Sequence, residues 1–97
     1  MHMYLVTRRR GFASPGELEQ AAARSGAAGE RPGSGVNWIR TYALAEDGGG
    51  LGAVCLFEAE SADAIRLHAQ AARLPVDEIV PVADTVVVRP DPVGEST

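Results

Sequence analysis

The 97-residue sequence has no lysine; all nine of its basic residues are arginine. A chain without lysine forms no Schiff base with a carbonyl substrate or pyridoxal phosphate, and supplies no lysine to a phosphate-binding P-loop or a kinase. Its single cysteine, Cys55, excludes an internal disulfide and any multi-cysteine zinc or iron-sulfur centre, and makes a reducing cytoplasm the expected compartment. No run approaches the roughly 18 continuous apolar residues of a membrane helix, so neither a membrane span nor a secretory leader is expected.

At 45% hydrophobic and 23% charged, the composition is that of a soluble globular domain, with a net charge of -4. The charge is uneven along the chain. Residues 1–40 hold six arginines against three acids, and residues 41–97 hold three against ten. The basic part is too small to track a phosphate backbone, so no nucleic-acid partner is expected.

Residues 3–9 (MYLVTRR) form a β-branched and aromatic run that predicts a strand ending at Arg8-Arg9-Arg10, a triplet expected to be a solvated charge cluster. Ser14-Pro15-Gly16-Glu17 then supplies an N-cap, a proline at the first helical position and a capping-box glutamate. The helix they open is expected to run to about Gly29 with Leu18, Ala21, Ala22 and Ser25 on one side. Residues 36–45 and 51–60 alternate as two strands joined through Glu46-Asp47-Gly48-Gly49-Gly50, a hairpin with a loop longer than the tightest type. Ser61 caps a second helix in which Ile65, His68, Ala69 and Ala72 share a face and Leu74-Pro75 marks the end. Residues 79–89 predict a last strand, and 90–97 a flexible C-terminal tail after a single domain over 1–89.

Strand, helix, strand, strand, helix, strand is the order of the ferredoxin-like α+β fold, a four-stranded antiparallel sheet with both helices on one face. The strands are apolar on both sides, so the side without helices needs a cover. A second copy of the chain is the simplest one, packed face to face as a dimeric α+β barrel.

Four segments resemble one family in order and spacing: Trp38-Ile39-Arg40-Thr41-Tyr42, Cys55-Leu56-Phe57-Glu58-Ala59, Ala64-Ile65-Arg66-Leu67-His68-Ala69, and Leu74-Pro75-Val76-Asp77-Glu78-Ile79. The family is small, bacterial, of largely unknown function, and typified by an actinobacterial nickel-binding protein; the resemblance spans roughly residues 4 to 82. It implies a ferredoxin-like fold and a homodimer, and it raises nickel as a candidate ligand. The chain departs from the family pattern at Arg73, where a helix-ending glycine is usual, and at Thr41, where a serine is.

Two sites follow from the residues. Nickel or another divalent metal favours imidazole and carboxylate donors. The chain has His2, at the terminus, and His68, which would need a carboxylate such as Glu58 or a ligand from the other subunit. The bland alternative for His68 is a hydrogen-bonded histidine at the edge of the helix's buried face. The second candidate is a pocket beside Trp38, Arg40 and Tyr42, which strict alternation places on one face about 7 Å apart. Arg40 on an apolar face needs a partner. A small anionic ligand, carboxylate or phosphate, would serve, and so would Glu58 or Glu60 across the hairpin.

Three functions remain open at this stage. One is a small-ligand or metal-binding homodimer. Another is a cofactor-free isomerase or monooxygenase with His68, Glu58 and Tyr42 moving protons. The third is a structural dimer whose interior is filled by side chains. No Gly-x-Ser-x-Gly elbow occurs, and Cys55 lies mid-strand as an expected inert core thiol. Gly33-Ser34-Gly35 and Gly48-Gly49-Gly50 do not sit between a strand and a helix start, so they are turn glycines rather than a phosphate cradle.

Overall fold

In a computed structural model, which describes residues 1–92, the N-terminal run forms strand β1 (His2–Phe12). Tyr4, Val6 and Arg8 are buried along one side of it, and Met3, Leu5 and Thr7 are half-buried along the other. The strand outlasts the expected boundary because it passes through an irregularity. Arg8 pairs with Ala53 and Phe12 with Leu51, so residues 9 to 11 stand opposite Gly52 alone. Arg10 takes a left-handed φ of 55° there. Arg9 and Arg10 are exposed while Arg8 and Phe12 are buried, the re-aiming of side chains that bulges produce. The arginine triplet is therefore not one solvated cluster, since Arg8 is only 2% exposed.

Ser14 caps α1 (Pro15–Gly29): its Oγ accepts from the Glu17 N–H at 3.3 Å, and Glu17 Oε1 accepts from the Ala13 N–H at 3.1 Å. The buried face of α1 is small, made of Ala21, Ser25 and Ala28, with Leu18 and Ala22 half-buried beside it. Strands β2 (Val36–Ala45) and β3 (Leu51–Ala59) form the expected hairpin around a short 3-10 turn in which Gly48 and Gly49 have φ of 86° and 91°. Ser61 caps α2 (Ala62–Ala72), its Oγ accepting from the Ala64 N–H at 3.1 Å. Ile65, His68, Ala69 and Ala72 are its buried residues, the four that helical spacing groups. α2 ends at Arg73 in the left-handed conformation (φ 56°, ψ 51°) that favours glycine.

Strand β4 (Glu78–Pro81) completes an antiparallel sheet in the order β2-β3-β1-β4, and the fold is ferredoxin-like. The expectation of a strand from 79 to 89 is corrected here. β4 stops at Pro81, whose ring removes a ladder donor at the sheet edge. The Val82 N–H still reaches the Met3 carbonyl at 2.9 Å, and the chain then leaves the ladder. Residues 85–91 line a hollow over the helix-free side of the sheet with Leu5, Val54 and Leu56. Part of the apolar face expected to need a second copy is thus covered by the chain itself.

Both helices cover the other side, where Val6, Phe57 and Ile65 are at most 1% exposed. Each contributes about 1.5–3 kcal/mol by leaving water. No helix is long and apolar enough to cross a membrane among the described residues.

Gly52 lets β3 approach the irregularity of β1. A Cβ there would lie 2.9 Å from the Arg8 carbonyl oxygen and 2.5 Å from Glu46 Oε2. Gly52→Ala is therefore expected to lower stability by about 1–3 kcal/mol in urea unfolding. An unchanged midpoint would show that the two strands have room to part.

Candidate functional site

The hairpin decides which side chains meet. Trp38 pairs with Phe57 and Arg40 with Leu56, leaving Ile39 as an extra, unpaired residue in β2. One inserted residue reverses every side chain beyond it. Trp38 therefore lies on the helix-covered side, stacked on Phe57 with ring centroids 6.4 Å apart and planes at 19°. Arg40 and Tyr42, opposite Leu56 and Val54, lie on the helix-free side. The expectation that Trp38, Arg40 and Tyr42 share one face is corrected, because it assumed unbroken alternation.

Arg40 has a counter-charge, and it is neither Glu58 nor Glu60. Its Nη1 donates to Asp91 Oδ2 at 2.9 Å and to Tyr42 Oη at 3.2 Å, while the Tyr42 hydroxyl donates to the same Asp91 oxygen at 2.7 Å. Both charged side chains are about half exposed, so the pair is worth little to stability. Asp91 falls in the stretch expected to be a tail, of which residues 93–97 lie outside the described residues. Glu58 instead accepts from Asn37 Nδ2 at 3.1 Å. Glu60 closes the hairpin base, its N–H on the Gly35 carbonyl at 3.0 Å.

His68 lies on the opposite side of the sheet from Glu58 and Tyr42. It is 5% exposed, edge-on to Phe57 at 5.4 Å, with Nε2 3.0 Å from Ser25 Oγ and a buried Nδ1 that has no partner. Burial, and then the positive charge of Arg8, push its pKa below the ordinary value, so the ring is neutral at pH 7. Two expected constellations are thereby corrected. The sheet separates His68 from Glu58 as metal ligands and from Glu58 and Tyr42 as proton carriers. The surroundings of His68 do not fit nickel, since its charged neighbour is a guanidinium that repels a cation. Among the described residues no group of three or more His, Cys, Asp or Glu side chains could hold a metal ion.

What composition and spacing missed is Arg8. On the helix side, Arg8, Cys55, Thr41 and Trp38 line a cavity of about 280 Å³ beneath α1, with Phe12, Leu18 and Leu74 among its apolar walls. Arg8 Nη1 donates to Cys55 Sγ at 2.9 Å, and its Cζ lies 6.0 Å from the Phe57 ring centroid. Its Nε and Nη2 are buried without a hydrogen-bond partner. Burial lowers its pKa from the ordinary arginine value against the smaller opposing effect of Cys55. The signal was present in the sequence, because Tyr4, Val6 and Arg8 alternate onto one face.

Fold and site together define a small ferredoxin-like α+β protein with a cleft on its helix side. More particularly, the chain belongs to the SCO4226-like family: the family described as nickel responsive protein SCO4226-like matches residues 4–82. The crystal structure of SCO4226 from Streptomyces coelicolor A3(2) is similar, with a TM-score of 0.69 at 24% identity, over 87% of this chain and 99% of that one. That likeness bears on the fold. No curated protein matches the chain.

Two outcomes follow. A histidine held neutral by the fold but free to protonate when unfolded, near pH 6.5, draws stability down as pH falls below that value. The melting temperature is expected to drop between pH 7 and pH 5, and His68→Gln to flatten that drop. Glu46, held to about 2 first by its hydrogen bond from Arg9, contributes its loss only below about pH 4.5, outside that window. A His68→Gln profile parallel to the unsubstituted one would contradict the assignment. Second, calorimetric titration with nickel is expected to give the same isotherm before and after His68→Ala. Loss of a binding event on that substitution would restore His68 as a ligand.

Proposed function

We propose that the protein is a cytoplasmic homodimer that binds a small ligand in the cavity between α1 and the sheet. One observation carries this reading: a cleft of about 280 Å³ opens between α1 and the sheet, with mostly apolar walls and Arg8, Ser25 and Thr41 among its polar groups. Cavities holding small molecules are mostly apolar with a few polar groups, as this one is. A structural dimer would have filled it with side chains.

The homodimer is supported by what stays uncovered on the far side. Val86, Val87 and Val88 are 76–86% exposed in an unbroken apolar run, next to a sheet face carrying Leu5, Tyr42, Val54 and Leu56. A second copy presenting the same surface would bury it.

Nickel or another divalent metal is the second reading, supported by the description of the family. A cofactor-free isomerase or monooxygenase loses support because its three candidate proton carriers lie on both sides of the sheet.

A thermal-shift screen of small organic acids, alcohols, amides and divalent metals tests the ligand. An occupant present at a hundred times its dissociation constant adds about 2.7 kcal/mol. At least one organic compound is expected to raise the melting temperature; a screen flat for organics would contradict the reading. Light scattering at micromolar concentration is expected to give twice the 10.2 kDa chain mass, and a monomer would remove the dimer.

A further inference from the structure

We infer that the cavity is a carboxylate site: Arg8 holds the acid group of a small organic acid whose apolar body fills the space beneath α1. The inference rests on the ligand-binding reading above and names the ligand's chemistry.

The first support is a charge without a counter-charge. The ion pairs among the described residues join Arg9 to Glu46, Arg40 to Asp91 and Arg66 to Asp63. Arg8, the most deeply buried of the arginines, is in none of them. A buried charge whose only acceptor is a cysteine sulfur, itself a weak one, is uncompensated. Glu19, the one carboxylate in the cavity lining, is exposed on α1 and forms no ion pair with Arg8.

The second support is geometric, and the neighbouring residue supplies the template. Arg9 grips Glu46 with Nε on Oε2 at 2.8 Å and Nη2 on Oε1 at 2.6 Å, a bidentate fork. Arg8 has the same two nitrogens, Nε and Nη2, buried and empty. A carboxylate needs those two donors and no others.

The lining narrows the ligand further. Trp38 Nε1 donates to Thr41 Oγ1 at 2.7 Å, Thr41 Oγ1 donates to Cys55 Sγ at 3.1 Å, and Ser25 Oγ is taken by His68. The neutral polar groups are therefore engaged with one another, and Arg8 is the cavity's one buried charge. The space of about 280 Å³ has room for a small organic acid such as benzoate or hexanoate. One guanidinium among apolar walls matches a monoanion on a hydrocarbon body better than a phosphate dianion. Because Nε and Nη2 are closed off, engagement requires the Arg8 head to turn into the cavity that it already lines.

Trp38 is the only tryptophan and lines the cavity, so its fluorescence reports occupancy directly. The purified protein is titrated with benzoate and hexanoate, with the neutral isosteres benzamide and hexanol, and with inorganic phosphate. The acids are expected to change Trp38 emission saturably and to bind at least ~30-fold more tightly than their neutral counterparts. Arg8→Met, which fills a similar volume without charge, is expected to abolish that preference while its melting temperature holds or rises. Arg8→Lys keeps the charge and loses the fork, and is expected to weaken benzoate binding about tenfold. Should Arg8→Met fail to fold, Arg8→Lys and the acid-to-amide ratio of the unsubstituted protein decide the question.

Acids and neutral isosteres binding equally, or Arg8→Lys binding benzoate as tightly as the unsubstituted protein, would overturn the carboxylate site and leave the cavity as a binding site. Phosphate binding in preference to both acids would overturn the organic ligand. No change in Trp38 emission with any probe, with no organic compound raising the melting temperature, would overturn both readings.

Discussion

Arg8 places a guanidinium on the helix side of the sheet, between Cys55 and Phe57, in a layer where Val6 and Ile65 are wholly buried. Taking an arginine out of water without a carboxylate partner is among the costlier things a small core can do. The surroundings soften that cost only in part, through one hydrogen bond to sulfur and a distant aromatic face. Several other features follow from the same charge. It adds to the burial that lowers the pKa of His68, it makes a nickel ion unwelcome beside that ring, and it gives the open space under α1 a buried charge.

Two irregularities in the strands create this arrangement. In β1, residues 9 to 11 bulge opposite Gly52, so that Arg8 and Phe12 both stay inside while Arg9 and Arg10 emerge to hold Glu46. In β2, the extra residue Ile39 sends Trp38 to the helix side and Arg40 to the other. Without that second bulge Trp38 and Arg40 would share a face, so either Trp38 would leave the cavity wall or Arg40 would not reach Asp91. Sheet faces of this protein are thus set as much by where pairing slips as by where it holds. The small face of α1, with Ala21 and Ser25 where longer side chains would fill the gap, leaves the cavity its volume.

Much of this was legible in the sequence, for physical reasons that differ from element to element. Ser14 and Ser61 announce their helices because a cap is a local device, satisfied within three residues. The buried face of α2 follows from helical spacing, and the order of elements leads to the ferredoxin-like sheet. The bulges were not legible, since an inserted residue leaves no mark in an alternating pattern that is apolar on both sides. Arg40 was consequently put on the wrong face for its aromatic neighbour Trp38. Its partner Asp91 was missed because β4 was expected to run on to Arg89 rather than release the chain at Pro81. Arg8 could have been found: it continues the Tyr4, Val6 alternation, but its place in a run of three arginines concealed it.

The claim on which the rest depends is that the Arg8 fork is empty in the ligand-free protein and closes on a carboxylate. Nitrogen-15 NMR of the arginine Nε–H groups observes this atom by atom, with Arg9, already gripping Glu46, as an internal reference. On adding benzoate, the Arg8 Nε–H resonance is expected to shift strongly and saturably, in step with Trp38 emission, while that of Arg9 stays in place. An Arg8 resonance that does not move while benzoate demonstrably occupies the protein would contradict the assignment.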